Sequence, residues 1–149
     1  MVVQEFTLKL CVALVCGLLI GLERQVNRKE AGMRTHSLVA LGSAIFILMS
    51  YEVVTKFGGD VTRIIGQVVT GVGFICAGVI MHKGANIHGL TTSATIWCAS
   101  AVGCIAAGGY FAEAFISTAL VIFVNAVLKN ADMYINARYK NKKGEEDNV

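Results

Sequence analysis

Residues 60–80 have the sequence DVTRIIGQVVTGVGFICAGVI, an apolar stretch that begins with two charged residues and contains four glycines. Asp60 and Arg63 stand at its start, and Gln67 and Thr70 lie in its first half. A helix that only has to sit in lipid needs none of these residues, because glycine serves close helix packing and polar groups in a membrane need partners. The stretch therefore predicts a central helix against which the other helices pack.

The composition of the 149-residue chain is that of a polytopic membrane protein. Hydrophobic residues make up 55% of it and charged residues 15%, whereas a soluble domain carries about 25% charged residues. The formal net charge of +3 is too small to indicate a nucleic-acid-binding protein. All 5 cysteines lie in apolar runs without the spacing of a metal site, which predicts buried structural thiols.

Five apolar runs are long enough to cross a bilayer, which takes about 17–25 residues. They cover residues 6–22, 36–54, 64–81, 91–107 and 110–128. The last two form one long apolar stretch, and Gly108-Gly109 is the natural break within it. The expected fold class is therefore all-α. We expect residues 1–129 to form a bundle of five transmembrane helices, and residues 130–149 to form a polar cytoplasmic tail that is disordered at its end.

Basic residues are distributed unevenly between the two sides of this arrangement. One side carries Arg24, Arg28, Lys29, Arg34, Lys83, Lys129, Arg138, Lys140, Lys142 and Lys143. The other side carries Lys56 and Arg63. Because short cytoplasmic loops are enriched in Lys and Arg, we predict that the amino terminus lies outside and the carboxy terminus in the cytoplasm.

Asp60, Arg63, Gln67 and Thr70 recur at steps of three and four residues, so they share one face of the third helix. One interpretation is a polar track that faces the bundle interior and forms an ion site. The alternative is structural. Asp60 then caps the helix and pairs with Arg63 at the membrane surface, while Gln67 bonds to a neighbouring backbone.

Three carboxylates, Glu52, Asp60 and Glu113, are predicted to lie toward the outer side of the membrane. Magnesium sites use one or two carboxylates and several retained waters, so these residues are the candidate ligands of an external Mg²⁺ site. The charge of nearby Arg63 opposes cation binding. Mg²⁺ is the only cofactor that the sequence suggests.

The first link between spans combines Glu23, Arg24, Arg34 and His36. The preference for basic residues on the cytoplasmic side of a membrane accounts for the arginines. It does not account for the specific sequence of the compact block at residues 31–36. Thr35 is a candidate cap for the second helix. Arg34 could bind Glu23 or an acidic group of a partner, and His36 could titrate near neutral pH.

Small and polar residues also mark the first and fourth helices. Thr91 is a candidate N-cap of the fourth helix, whose free amides could alternatively hold a phosphate or lipid headgroup. Trp97 is predicted to pack on the glycines of residues 60–80. Small-residue stripes suited to helix packing occur in two helices. They are Gly17 and Gly21 in the first helix, and Ala99, Gly103 and Ala107 in the fourth.

The chain carries none of the usual sequence patterns of an enzyme. It shows no nucleophile–base arrangement, phosphate loop or zinc spacing. The pair Gly71 and Gly73 lacks a third glycine and follows no strand, so it does not form a dinucleotide motif. We therefore do not expect enzymatic activity.

Several blocks of this sequence resemble the signature of the MgtC/SapB family. They lie at residues 21–25 (GLERQ), 31–39 (AGMRTHSLV), 71–74 (GVGF), 77–80 (AGVI) and 89–97 (GLTTSATIW). The residues that carry the resemblance are Glu23, Arg24, Gly32, Arg34, Thr35, His36, Gly71, Gly73, Gly78, Thr91, Thr92 and Trp97. The blocks follow the family's order and spacing over about residues 10–127. Ser93, where alanine is frequent, and Ile75-Cys76 depart from the pattern.

The resemblance implies a bacterial inner-membrane protein associated with growth in scarce magnesium and with survival inside host phagocytes. It also implies action on other membrane machines, notably the proton-translocating ATP synthase. Better-known members carry a further cytoplasmic domain at the carboxy terminus, whereas residues 130–149 follow the fifth span here.

Three functional hypotheses follow from the residues and the resemblance together. The first is an accessory or regulatory membrane protein that acts by helix–helix contact with a membrane partner. The second is a transporter of magnesium or another cation that uses Asp60 and its neighbours. The third is a structural homo-oligomer held together through the glycines of residues 60–80.

Overall fold

The computed structural model describes residues 2–83 and 86–128, which form a bundle of helices. Helices α1 (Val3–Val26), α2 (Met33–Phe57), α3 (Val61–Val79), α4 (Leu90–Ala107) and α5 (Phe111–Phe123) follow in chain order. A π-helical segment, Val124–Leu128, continues α5. With this segment included, α5 extends to Leu128. The described residues then contain five helices long and apolar enough to cross a membrane. The predicted all-α membrane fold is confirmed, and the predicted tail at residues 130–149 lies outside the described residues.

The core is built where α1, α2 and α4 meet through small residues. A Cβ atom on Gly17 would lie 2.7 Å from the carbonyl oxygen of His36, and one on Gly21 would lie 2.5 Å from Cα of Met33. Gly103 of α4 is in equally close contact with the backbone of Ala40 in α2. Ala99 and Ala107 on α4 are fully buried. The small-residue stripes predicted for the first and fourth helices are therefore confirmed as packing seams.

Helix α3 is peripheral, which corrects the prediction that residues 60–80 form the packing centre. It contacts α4 and α2 through a narrow stripe of Val68, Val72 and Cys76. A Cβ atom on any of its glycines would meet open space. These glycines are Gly66, Gly71, Gly73 and Gly78. The central helix is α4 instead, because its residues are small and buried on several sides.

The helix ends are set by glycine more than by side-chain caps. Gly108-Gly109 separates α4 from α5 as predicted, and Gly109 has a φ of 85°. The prediction that Thr35 and Thr91 cap their helices is wrong, because the N-cap residues of α2 and α4 are Gly32 and Gly89. The Gln25 side chain accepts from the Met33 amide in the first turn of α2 at 3.3 Å. Gly89 has a φ of 88°, a left-handed conformation that suits glycine.

The link between α3 and α4 contains an element that the sequence prediction missed. Strands β1 (Met81–Lys83) and β2 (Asn86–His88) pair antiparallel, with Met81 opposite His88. The prediction had assigned this region to a loop of small and polar residues. The hairpin lies on the same side of the bundle as the α1–α2 link, since α2 and α3 cross between them.

Hydrogen bonds between hydroxyl, thiol and backbone groups join the helices inside the bundle. The hydroxyls of Ser43 on α2 and Ser100 on α4 lie 2.7 Å apart. Ser93 donates to the carbonyl oxygen of Cys76 at 3.0 Å, and the Cys76 thiol donates to the carbonyl oxygen of Ser93 at 3.2 Å. Cys16 and Cys76 are buried as predicted, whereas Cys11 is exposed on the bundle surface.

Candidate functional site

The last turn of α1 places a charged pair beneath the α1–α2 loop. Arg24 is only 2% exposed, and its Nη1 lies 3.7 Å from Oε2 of Glu23. The prediction that Arg34 binds Glu23 is wrong, because Arg34 is exposed and the ion pair of Glu23 is with Arg24. Burying a charged pair costs solvation free energy, so the arrangement of the groups around Arg24 matters.

The neighbours of this pair fix its orientation. The Asn27 side-chain amide donates to Oε1 of Glu23 at 2.7 Å and to the Glu23 carbonyl oxygen at 3.0 Å. His36, in the first turn of α2, is fully buried, and its Nδ1 lies 2.9 Å from the carbonyl oxygen of Gly32. Since a carbonyl can only accept, we assign the proton of neutral His36 to Nδ1. Nε2 is then an acceptor.

Four buried atoms of this cluster have no hydrogen-bond partner within residues 2–83 and 86–128. They are Oε2 of Glu23, Nε and Nη2 of Arg24, and Nε2 of His36. A fifth such atom, Nδ2 of Asn125, lies elsewhere in the bundle, in the π-helical segment. Buried polar groups in folded proteins nearly always have partners. We name Glu23, Arg24 and His36 the junction site.

The α1–α2 loop is attached to α4 beside the junction site. The hydroxyl of Thr92, which is buried, donates to Oε2 of Glu30 at 3.1 Å. The Glu30 backbone amide and then this hydroxyl hold the pKa of the Glu30 carboxyl below its usual range. One turn further along α4, the Thr95 hydroxyl lies 3.3 Å from Oδ1 of Asn125. Two consecutive turns of α4 thus bond to the loop and to the segment after α5.

Asp60 is a helix cap on the outside of the bundle. Its carboxylate accepts hydrogen bonds from the Thr62 amide at 2.8 Å and from the Thr62 hydroxyl at 2.7 Å. These bonds lower the pKa of Asp60. Arg63, Gln67 and Thr70 are exposed as well. The expectation of a polar track facing the bundle interior is therefore wrong for this chain, and the capping role that the structural alternative gave to Asp60 is confirmed.

The three acidic residues expected to form an external cation site do not come together. Glu52 makes an ion pair with Lys56 on its own helix, at 3.0 Å, while Asp60 is bonded to Thr62. Within the described ranges, no group of three or more His, Cys, Asp or Glu side chains is placed to hold a metal ion. The predicted grouping of Glu52, Asp60 and Glu113 is wrong.

The exposed side of α3 carries small residues that none of the described helices covers. Gly66, Thr70, Gly73 and Ala77 follow one another at steps of four, three and four residues, so they lie on one face. All four are exposed, and Gly66 and Gly73 have nothing within 4 Å of a built Cβ atom. We call these four residues the outer face of α3.

A groove between α2 and α3 adjoins the outer face. Its volume is about 580 Å³, and Gly42, Phe46, Gln67 and Gly71 are among its lining residues.

Trp97 was expected to pack on the glycines of α3. This prediction is wrong, because the Trp97 side chain is 49% exposed on α4 and the glycines of α3 have nothing within 4 Å of a built Cβ atom.

Several buried polar residues inside the bundle were not predicted from the sequence. Ser43, Ser100 and Asn125 are buried polar residues inside apolar runs. Polar residues within a predicted span are themselves a signal, since they need partners there. The π-helical segment that carries Asn125 had no such signal.

Comparisons with known proteins agree on one family. The model of the MgtC family matches residues 10–134. A protein of Synechocystis described as uncharacterized is 42% identical over 133 residues, which cover 89% of this chain and 56% of that protein. Protein MgtC of Salmonella typhimurium is 40% identical over 146 residues, 98% of this chain and 62% of the relative.

Protein MgtC of Brucella abortus is 44% identical over 119 residues, 78% of this chain and 48% of the relative. The chain thus spans about half to three fifths of the length of these relatives. No solved structure matches it.

Proposed function

The chain belongs to the MgtC family, and from that premise we propose that it is an accessory or regulatory protein of the bacterial inner membrane. It acts by helix–helix contact with a membrane protein partner. Its proposed context, by family resemblance, is adaptation to low magnesium and virulence, with the proton-translocating ATP synthase as the candidate partner. We further propose that the amino terminus lies outside and the carboxy terminus in the cytoplasm.

The observation that carries this proposal is the outer face of α3. Glycines of α1 and α4 are covered by neighbouring helices of the same chain, whereas Gly66 and Gly73 are uncovered. In lipid, a helix with no partner gains nothing from glycine, because large apolar side chains fill space next to acyl chains better. Small residues at four-residue spacing allow two backbones to approach closely.

The Thr70 hydroxyl fits such a contact without adding an unpaired polar group. It donates to the Gly66 carbonyl oxygen at 3.0 Å, one turn earlier in the same helix. The outer face is therefore flat and free of unbonded hydroxyl hydrogens. A partner helix with its own small residues can lie against it through van der Waals contact alone.

The test is recovery of a complex from membranes in mild detergent with tagged wild-type protein and with Gly73→Leu. Leu at position 73 fills the space that a partner backbone would occupy, so the variant should lose the co-purifying protein. Ala119→Leu is the matched control, because Ala119 is an exposed small residue on α5. This variant should keep the complex.

The proposal is overturned if wild-type protein recovers no other membrane protein, or if Gly73→Leu recovers the same complex in the same yield. The folded state of each variant is checked by its thermal unfolding. A homo-oligomer would instead give recovery of only a second, differently tagged copy of this chain.

Cation transport is the alternative function. It predicts that purified protein in sealed liposomes passes Mg²⁺ and that Asp60→Asn abolishes the flux. Asp60 is bonded to Thr62 at the start of α3, and among the described residues it belongs to no group of three or more His, Cys, Asp or Glu side chains placed to hold a metal ion. The accessory role is therefore the better supported of the two, and absence of flux in sealed vesicles would remove transport.

A further inference from the structure

One complete edge of the Arg24 guanidinium has no partner in the part of the chain that the structure describes. Nε and Nη2 lie side by side on that edge and form the fork that binds two oxygens of one oxyanion. Neither atom has an acceptor among the described residues. Nη1, on the other side, faces Oε2 of Glu23 at 3.7 Å. A buried cation with two free donors is costly unless an acceptor reaches it.

The same site also contains acceptors that lack donors. Oε2 of Glu23 accepts no hydrogen bond from any described residue, and the Asn27 amide bonds to the other oxygen. Nε2 of His36 is the unprotonated nitrogen of a ring that donates through Nδ1. A molecule that satisfies this set must present two oxygens to Arg24 and at least one hydroxyl group to Glu23 or His36.

We propose that the junction site binds an oxyanion that still carries a hydroxyl group, with phosphate in its protonated forms as the representative ligand. Two phosphate oxygens accept from Nε and Nη2 of Arg24. A P–OH group donates to Oε2 of Glu23 or Nε2 of His36. Sulfate has the same shape but no proton near neutral pH, so its fourth oxygen would oppose the Glu23 carboxylate.

The surroundings favour an anion that arrives from the aqueous phase. Glu23 and Arg24 lie in the last turn of α1 and His36 in the first turn of α2, at the ends of membrane-length helices. The amino terminus of α2 adds positive potential, with one of its first amides, that of Met33, donating to Oε1 of Gln25 at 3.3 Å. Exposed Arg28, Lys29 and Arg34 surround the α1–α2 loop. The carboxylate of Glu30, which also interacts with the charge of Arg24, is already bonded to Thr92.

The direct experiment uses the purified full chain in detergent at neutral pH and radiolabelled inorganic phosphate. Phosphate should bind saturably and raise the unfolding temperature, since a ligand that binds only the folded state stabilises it. Unlabelled phosphate should compete, and sulfate at equal ionic strength should compete about tenfold or more weakly. A short-chain phosphatidic acid, whose headgroup also has a P–OH, is tested alongside. Competition stronger than that of phosphate assigns the site to a lipid headgroup.

Variants test separately how Arg24 binds the oxyanion and how Glu23 selects for its hydroxyl group. Arg24→Lys keeps the charge but removes the fork, so phosphate should bind about tenfold or more weakly. Arg34→Lys is its control, because Arg34 is exposed and should not affect binding. In Glu23→Gln the Asn27 amide holds the new carbonyl oxygen, which places an NH₂ donor at the Oε2 position. That variant should lose the preference for phosphate over sulfate.

Equal competition by phosphate and sulfate in wild-type protein overturns the proposal, and so does the absence of saturable phosphate binding. Either result assigns the unpartnered atoms to ordered water. Both measurements use the wild-type chain, so they test the proposed phosphate site even if Arg24→Lys fails to fold. None of them depends on the outer face of α3.

Discussion

Thr92 connects two parts of the chain that are far apart in sequence. It is 2% exposed at the start of α4, and its hydroxyl donates to the Glu30 carboxylate of the α1–α2 loop. Thr92→Val keeps the volume and removes the donor. We expect it to lower the free energy of unfolding by about 0.5–1.5 kcal/mol, the usual net contribution of one hydrogen bond. Denaturant-induced unfolding in detergent measures it.

Thr92→Ser serves as the control for this prediction, because it retains the hydroxyl and loses a methyl group. It should be more stable than Thr92→Val. If the two variants have equal stability, or if Val is the more stable, the bond to Glu30 does not hold the loop.

Asp60 gives the fold a pH dependence whose sign follows from its capping bonds. Its pKa is lowered in the folded chain by the Thr62 hydroxyl and amide. The stabilisation is therefore complete at neutral pH and disappears as the pH falls through the lowered pKa, below about pH 4. We expect wild type to exceed Asp60→Ala in unfolding temperature at pH 7, and the difference to shrink on acidification.

Asp60→Asn is the matched variant for this measurement. Asparagine also caps helices but does not titrate in this range. Its difference from Asp60→Ala should not depend on pH. A wild-type advantage that stays constant down to pH 3 would contradict the assigned cap.

At the scale of the helices, the glycines of α4 and α3 have opposite surroundings. A Cβ atom on Gly103 would overlap the Ala40 backbone, whereas one on Gly73 would meet nothing within 4 Å. Gly103→Ala should destabilise the bundle by about 1–3 kcal/mol, the usual range for overpacking. Gly73→Ala should not destabilise the bundle, and should stabilise α3 by up to about 1 kcal/mol because alanine favours a helix interior more than glycine does. Unfolding of the two variants under identical conditions compares them.

Equal destabilisation by the two glycine substitutions would mean that α3 packs more tightly than described. The sequence predicts where glycines lie on a helix but not which neighbour covers them. Gly17, Gly21 and Gly103 were assigned correctly because a small-residue stripe faces another helix in many membrane proteins. Gly66 and Gly73 carry the same pattern, and the other described helices leave them uncovered.

At the scale of the whole molecule, the number and type of the helices could be predicted because five apolar runs of membrane length allow few alternatives. Their arrangement could not. Hydrophobicity drives insertion but does not rank the helices by burial, since lipid and protein interior are similarly apolar. The peripheral place of α3 depends on which helix has small residues on several sides, as α4 does at Ala99 and Gly103.

The residues of the junction site could be predicted only in part, because the sequence shows which residues are charged but not which of them the packing buries. Glu23, Arg24 and His36 stood out as charged or titratable residues beside an apolar run. Which arginine would be buried depends on the turn at which α1 ends. Arg24 lies within the last helical turn and points into the bundle, whereas Arg34 lies on the exposed side of α2.

The orientation of the molecule in the membrane gives a further test. Lys29 and Lys56 are both exposed, and α2 separates them, so they lie on opposite sides. In a chain whose cysteines are replaced by alanine, a single Lys56→Cys should react with a membrane-impermeant maleimide in intact cells. Lys29→Cys should react only after the cells are opened, because the basic α1–α2 loop is expected in the cytoplasm. The reverse pattern would invert the molecule, place the junction site outside the cell, and expose it to external rather than cytoplasmic anions.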